Sequence, residues 1–294
     1  MPLLFLALLA ISSFAQRQDL QPPCTCGNAE ALALNREALQ AHLKRRLEEA
    51  STAYAQALRL APPRELTSAE RERVLRFAPR VMVSPTDPFP LKDAAAVLHP
   101  NGRWIAYHFF WEDDIDFPDD NDPCDHELMW VELDARAERV LSYYTYFHGR
   151  ILKATETGPP AIVVQWGKHG SMPANWKALP IVADSGDVER SRMEKLGSAI
   201  TLESYNRATF EKLGTVGRQS QDSPLARGWP LRFNGNWEQF TDFSKPVDIP
   251  AMLRRNAMMS VSCLNNAVIN RHFLRYNFAS KTEWPAAMCE AGAK

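Results

Sequence analysis

Trp104-Ile105-Ala106-Tyr107-His108-Phe109-Phe110-Trp111, running directly into Glu112-Asp113-Asp114, is the stretch that decides the fold class. Its aromatic and branched content suits a strand, and the abrupt switch to acids marks the strand's end. The same construction recurs downstream. Asp125-His126-Glu127 opens Leu128-Met129-Trp130-Val131, Val140 to Phe147 ends at His148-Gly149, and Ala161 to Trp166 ends at Lys168-His169-Gly170. Carboxylates and imidazoles are costly beside apolar walls unless something neutralises them, and a shared divalent cation does so.

Working outward, Val81-Met82-Val83, Ile105 to Trp111, Leu128 to Leu133, Val140 to Phe147 and Ile162 to Trp166 are separated by clusters of Pro, Gly, Asn and Asp. That spacing predicts antiparallel sheets rather than alternating β and α units, and a twisted sandwich covers both faces. The expected fold is therefore β-rich α+β: an antiparallel β-sandwich with an N-terminal helical segment and C-terminal helices packed around it. The sandwich domain is assigned to residues 79–294.

Residues 28–78 form the helical segment. Leu32, Leu39, Leu43, Leu47, Ala50, Tyr54 and Leu58 recur at three- or four-residue steps as one apolar stripe, which predicts a single packing or oligomerising helix ended by Pro62-Pro63. Thr67-Ser68-Ala69-Glu70 matches a capping box and starts a short helix toward Phe77. Further along, Leu202 to Leu213 reads as a helix closed by Gly214, Ser191 to Ile200 is ambiguous, and Ile249 to Phe278 holds one or two more helices.

The N-terminal stretch Met1 to Ile11 is apolar, and small residues at Ser13 and Ala15 suit cleavage before Gln16, so residues 1–15 are expected to be a signal peptide and 16–27 a linker. The alternative is a buried or membrane-touching helix. No later segment offers about 18 uninterrupted apolar residues, so no transmembrane helix is expected after it. Cys24, Cys26, Cys124, Cys263 and Cys289 suit an exported chain with up to two disulfides, Cys263 and Cys289 making one plausible pair. With 294 residues, 45% of them hydrophobic, the chain can bury a substantial core. Its 34 basic and 35 acidic residues leave a net charge of -1, so no global field favours nucleic acid.

The candidate site comprises Asp114, Asp125, Glu127, His148 and His169 as metal ligands. Asp125 and Glu127, two apart on a strand, share one face, while His126 points to the other. Asp114 ends the preceding segment, and His148 and His169 are each followed by glycine, which lets the backbone turn away at the rim. Oxygen-rich ligation points to Ca²⁺ or Mg²⁺, whereas direct binding by both imidazoles points to Mn²⁺ or Zn²⁺. A plainer account makes Asp119, Asp120, Asn121 and Asp122 a solvated acidic loop and the histidines ordinary turn residues. His108 is expected to be a hydrogen-bonded core residue.

Phe77-Ala78-Pro79-Arg80-Val81-Met82-Val83-Ser84-Pro85, Tyr107-His108-Phe109-Phe110, Asp125 to Val131, Phe147-His148-Gly149, Gly167 to Pro173 and Phe233-Asn234-Gly235-Asn236-Trp237 occur in an order that resembles the Vps62-like family. The central blocks are also similar to the necrosis- and ethylene-inducing (NPP1-type) proteins, secreted β-sandwich cytolysins. The latter resemblance implies a divalent cation at a membrane-recognition site, held by Asp114, Asp125 and Glu127. His126 replaces that family's tryptophan, and Asn121-Asp122-Pro123-Cys124 replaces its basic lead-in.

Three functions are in competition. The first is a secreted, cation-dependent protein binding a lipid head group or glycan at a membrane surface, with Trp111, Trp130, Trp166 and Trp176 as stacking surfaces where exposed. The second is a metal-dependent hydrolase using His148 or His169 as general base. The third is a structural exported protein assembled through its N-terminal helix. No nucleophile elbow, phosphate loop or dinucleotide fingerprint supports an enzyme.

Overall fold

A computed structural model describes residues 27–115, 125–148, 150–154, 158–180, 201–213, 235–255, 257–260, 264–276 and 284–285. Three helices come first: α1 (Ala29–Leu43), α2 (Leu47–Leu60) and α3 (Ser68–Arg76). Asn28 caps α1 by accepting the Ala31 amide at 3.0 Å. Thr67 and Glu70 close the capping box anticipated for α3.

The single helix expected from Asn28 to Pro62 is corrected to two. The chain reverses at residues 44–46, where Arg45 takes a left-handed φ of 59°. The packing stripe changes with it. Ala31, Ala38 and Ala41 of α1 and Ala50, Ala53, Tyr54 and Ala57 of α2 share one buried cluster, while Leu43 is exposed. Small side chains let helix axes come close, so alanines form the centre of this contact, and Leu32 and Leu58 of the expected stripe pack against it only partly buried.

The strands are β1 (Arg80–Val83), β2 (Leu91–Leu98), β3 (Trp104–Trp111), β4 (Asp125–Leu133), β5 (Val140–Phe147), β6 (Arg150–Lys153), β7 (Ala161–Val164), β8 (Ser171–Pro173), β9 (Lys245–Val247) and β10 (Ala257–Ser260). They form a four-stranded sheet in the order β8-β7-β1-β9 and a six-stranded sheet in the order β10-β2-β3-β4-β5-β6. Purely antiparallel pairing is corrected here. β1 runs parallel to β7 and β2 parallel to β10, so both sheets are mixed. A tight hairpin imposes antiparallel pairing only on strands adjacent in sequence, and these two pairs join distant segments.

Among the described residues the further α-helices are α4 (Leu202–Leu213), α5 (Trp237–Phe240), α6 (Ile249–Arg255) and α7 (Asn265–His272), making the fold mixed α and β. β10 interrupts the region expected to be helical. Its four residues are too few to display a period. The expectations placed on residues 1–26, on Asp119 to Asp122, on Ser191 to Ile200, on Gly214 and on all five cysteines lie outside the described residues.

β3 is buried at every position, which explains why the quoted stretch has no polar face. Ile105, Tyr107, Phe109 and Trp111 join one cluster with Val81 and Val83 of β1 and Ile162 and Val164 of β7, linking the two sheets. Trp104, Ala106 and Phe110 join another with Ile269, Phe273 and Tyr276, on the face covered by α7. Ala57, fully buried between α2 and its neighbours, has no room to grow. Ala57→Leu is expected to cost about 1–3 kcal/mol through overpacking, read as a lower urea midpoint at unchanged slope.

Candidate functional site

Residues 165–170 join β7 to β8 and gather the ends of four neighbouring strands. His169 is the centre of this loop. It is completely buried, with Nδ1 3.1 Å from Asp125 Oδ2 at the head of β4 and Nε2 3.3 Å from Asp87 Oδ1 in the β1–β2 turn. Two carboxylate acceptors require both ring nitrogens to donate, so the ring is an imidazolium. Burial alone would strip its proton, but the Coulombic pull of Asp87 and the hydrogen bond to Asp125 reverse this and hold its pKa up at about 10. The indole of Trp111 stacks on the ring at 4.2 Å and 5°, a cation–π contact inside the apolar layer, and the Phe89 ring meets it edge-on at 6.1 Å.

Asp87 is itself fixed. Its Oδ1 accepts the Phe89 amide and its Oδ2 the Gly167 amide, each at 3.0 Å. Trp166 Nε1 donates to the Thr86 carbonyl at 3.0 Å, holding the same turn against the loop. The end of β3 is tied in by backbone: the Ile115 amide donates to the Gly167 carbonyl at 2.6 Å. Lys168 Nζ donates to the Ile115 carbonyl at 2.6 Å and lies 3.6 Å from Asp114 Oδ2. After β5, His148 Nε2 donates to Gln165 Oε1 at 2.5 Å, and its ring packs near Tyr205 of α4.

Four of the five expected ligands lie in or against this loop, His169 as part of it and three through different residues. Asp125 meets His169 directly, Asp114 meets Lys168, and His148 meets Gln165. Glu127 is buried opposite Phe109, on the face of β4 that also carries Asp125. Among the described residues no group of three or more His, Cys, Asp or Glu side chains stands ready to hold a metal ion. Trp111, Trp130, Trp166 and Trp176 are all buried, so none offers an exposed stacking surface.

His126 points to the opposite face from Asp125, as the alternation requires, and its Nε2 lies 3.0 Å from Nδ1 of buried His108. The turn expected of the glycines after His148 and His169 is made by the histidines. His148 and His169 themselves take the left-handed φ values, 44° and 53°. Gly170 is needed for a different reason: a Cβ there would sit 2.7 Å from the Phe147 ring and 3.1 Å from His148 Nε2. The positioning residue that sequence reasoning missed is Asp87. Its only signal is an acid inside Ser84-Pro85-Thr86-Asp87-Pro88, a pattern indistinguishable from an ordinary turn.

No family model, curated protein or solved structure matches this chain. The chemistry of the site is then the guide. Two carboxylates around one imidazolium leave a net negative charge, with oxygen donors from Asp87 and Asp125 and buried Glu127 nearby on β4. Carboxylate oxygens are the kind of donor that a hard divalent cation accepts. A ring held protonated by two acids has no lone pair to accept a substrate proton, so this geometry does not equip His169 as a general base.

Because folding raises the pKa of His169 above its ordinary 6.5, the stabilisation from its charge is fully present below that value and is lost as pH climbs through about 10. Urea midpoints of the wild-type chain are expected to fall across that window. His169→Gln, leaving two buried acids without their cation, should cost about 3 kcal/mol or more at neutral pH and flatten that alkaline slope. An unchanged slope in the variant would assign it to other groups.

Proposed function

We propose that the chain is an exported, divalent-cation-dependent binding protein that docks a polar lipid head group or a glycan at the loop end of a two-sheet sandwich. The observation that carries this reading is the convergence of Asp87 and Asp125, from separate strand connections, on one buried ring. Glu127 adds a carboxylate on the same strand face as Asp125, and Asp114 is held against the loop by Lys168. An ion would draw its oxygens from Asp87, Asp125, Glu127 and Asp114, which do not stand as a ready-made metal group and would have to close around it. A bound Ca²⁺ or Mg²⁺ supplies an electropositive docking point for phosphate or sugar oxygens. The resemblance of the central blocks to NPP1-type proteins implies Asp114, Asp125 and Glu127 as ligands and says nothing of Asp87.

A second reading has its own observation. The His169 imidazolium already neutralises part of the acidic charge, as a structural clamp would, and no ion is then required. Metal analysis of the purified protein separates the two. Under the binding reading the protein carries about one equivalent of divalent ion, its melting temperature drops on chelation, and Asp125→Asn abolishes both the chelator effect and binding to liposomes or glycans. A metal-free protein whose melting is indifferent to added Ca²⁺, Mg²⁺ and chelator establishes the clamp instead.

A further inference from the structure

A groove with a cavity volume of about 620 Å³ lies between α2 and α7, lined by Ala55, Leu58, Arg59, Pro63, Val268, Arg271 and His272. Its place is set by the helix contact beside it. Ala53, Tyr54 and Ala57 of α2 pack with Ala267 of α7 and with Leu264 just before it in one buried cluster, and the groove opens along the next face of both helices. Residues 55, 58 and 59 on α2 and 268, 271 and 272 on α7 follow the i, i+3, i+4 spacing that puts three side chains on one helical stripe. Two such stripes face one space.

The stripes are chemically two-sided. Ala55, Leu58, Pro63 and Val268 make an apolar wall, while Arg59 and Arg271 place a guanidinium from each helix at its edge. Neither guanidinium has a hydrogen-bond or ion-pair partner among the described residues, and no described acid lines the groove. Basic residues in a last helical turn complement the helix dipole, which gives Arg59 and Arg271 a structural reason to be there. The dipole supplies only about half a negative charge at each helix end, however, against two full positive charges, so the edge remains cationic. Arginine pairs recognise planar carboxylates and phosphates by forked hydrogen bonds. The volume falls within the roughly 300–1,000 Å³ of small-molecule sites.

We propose that the α2–α7 groove binds a single-chain anionic amphiphile, its carboxylate or phosphate head held by Arg59 and Arg271 and its hydrocarbon chain laid against Leu58, Pro63 and Val268. The groove is separate from the loop site. α7 covers the face of the larger sheet turned away from β1 and β7, so the two ligands do not compete.

Calorimetric titration of the full chain with decanoate and with decyl phosphate tests this, each arm identifying one head-group source. At least one of them should bind saturably, and inorganic phosphate and decanol, the two halves of the ligand, should bind at least about tenfold more weakly. The double variant Arg59→Gln/Arg271→Gln, altering two exposed side chains, should weaken binding about tenfold or more at an unchanged melting temperature. If that pair lowers the melting temperature, Val268→Glu provides the readout instead, because a carboxylate in the wall must abolish binding. The proposal is overturned if neither amphiphile binds, if decanol binds as well as the amphiphile that does, or if the variant used binds like wild type.

Discussion

The imidazolium of His169 between Asp87 and Asp125 is the interaction on which the site depends. An uncharged imidazole could satisfy one carboxylate but not two, and two buried acids without a cation would repel across the end of the sheet interface. Around this ring the six-residue connection from β7 to β8 is pinned by the Gly167 and Ile115 backbones, by Lys168 and by Gln165. Turns and strand ends from β1, β3, β4 and β5 are thereby held at one place. The left-handed backbone at His169 and His148 is tolerated because these contacts over-determine both positions.

The same arrangement sets what the site can do. A charged ring stacked on Trp111 inside a dry layer is a rigid element, not a mobile acid–base group. What remains adaptable is the acidic shell, Asp125 and Asp114 being its more accessible members. An ion or a head group approaching this end of the sheets meets those oxygens. The groove between α2 and α7 carries the opposite sign, on the far side of the larger sheet, so the molecule presents two chemically distinct faces.

Much of this was legible in particular residues. The aromatic run 104–111 announced a strand, and its complete lack of a polar face matches burial on both sides. Asp125 and Glu127 on one face and His126 on the other follow from strand alternation alone, as does the Thr67–Glu70 cap from local spacing. Other elements left no local trace. β2 contains Ala94-Ala95-Ala96, which lacks the branched residues that mark strands, and it is a strand because β3 and β10 flank it. The apolar stripe over residues 32–58 suggested one helix, yet the chain turns at Arg45; Ala50 and Tyr54 of that stripe are buried, alanines outside it complete the contact, and Leu43 is left exposed.

The sequence by itself determined where apolar runs end in acids and histidines, because strand propensity and alternation act over a few residues and need no partner. Only the tertiary structure decided that Asp87, more than eighty residues before His169 in the chain, completes the clamp, and that Lys168 and Gln165 take Asp114 and His148 aside. It also decided that β1 lies parallel to β7 and β2 to β10. Those outcomes depend on which distant segments become neighbours and on how buried charge must then be balanced, and neither is encoded in any local window of the chain.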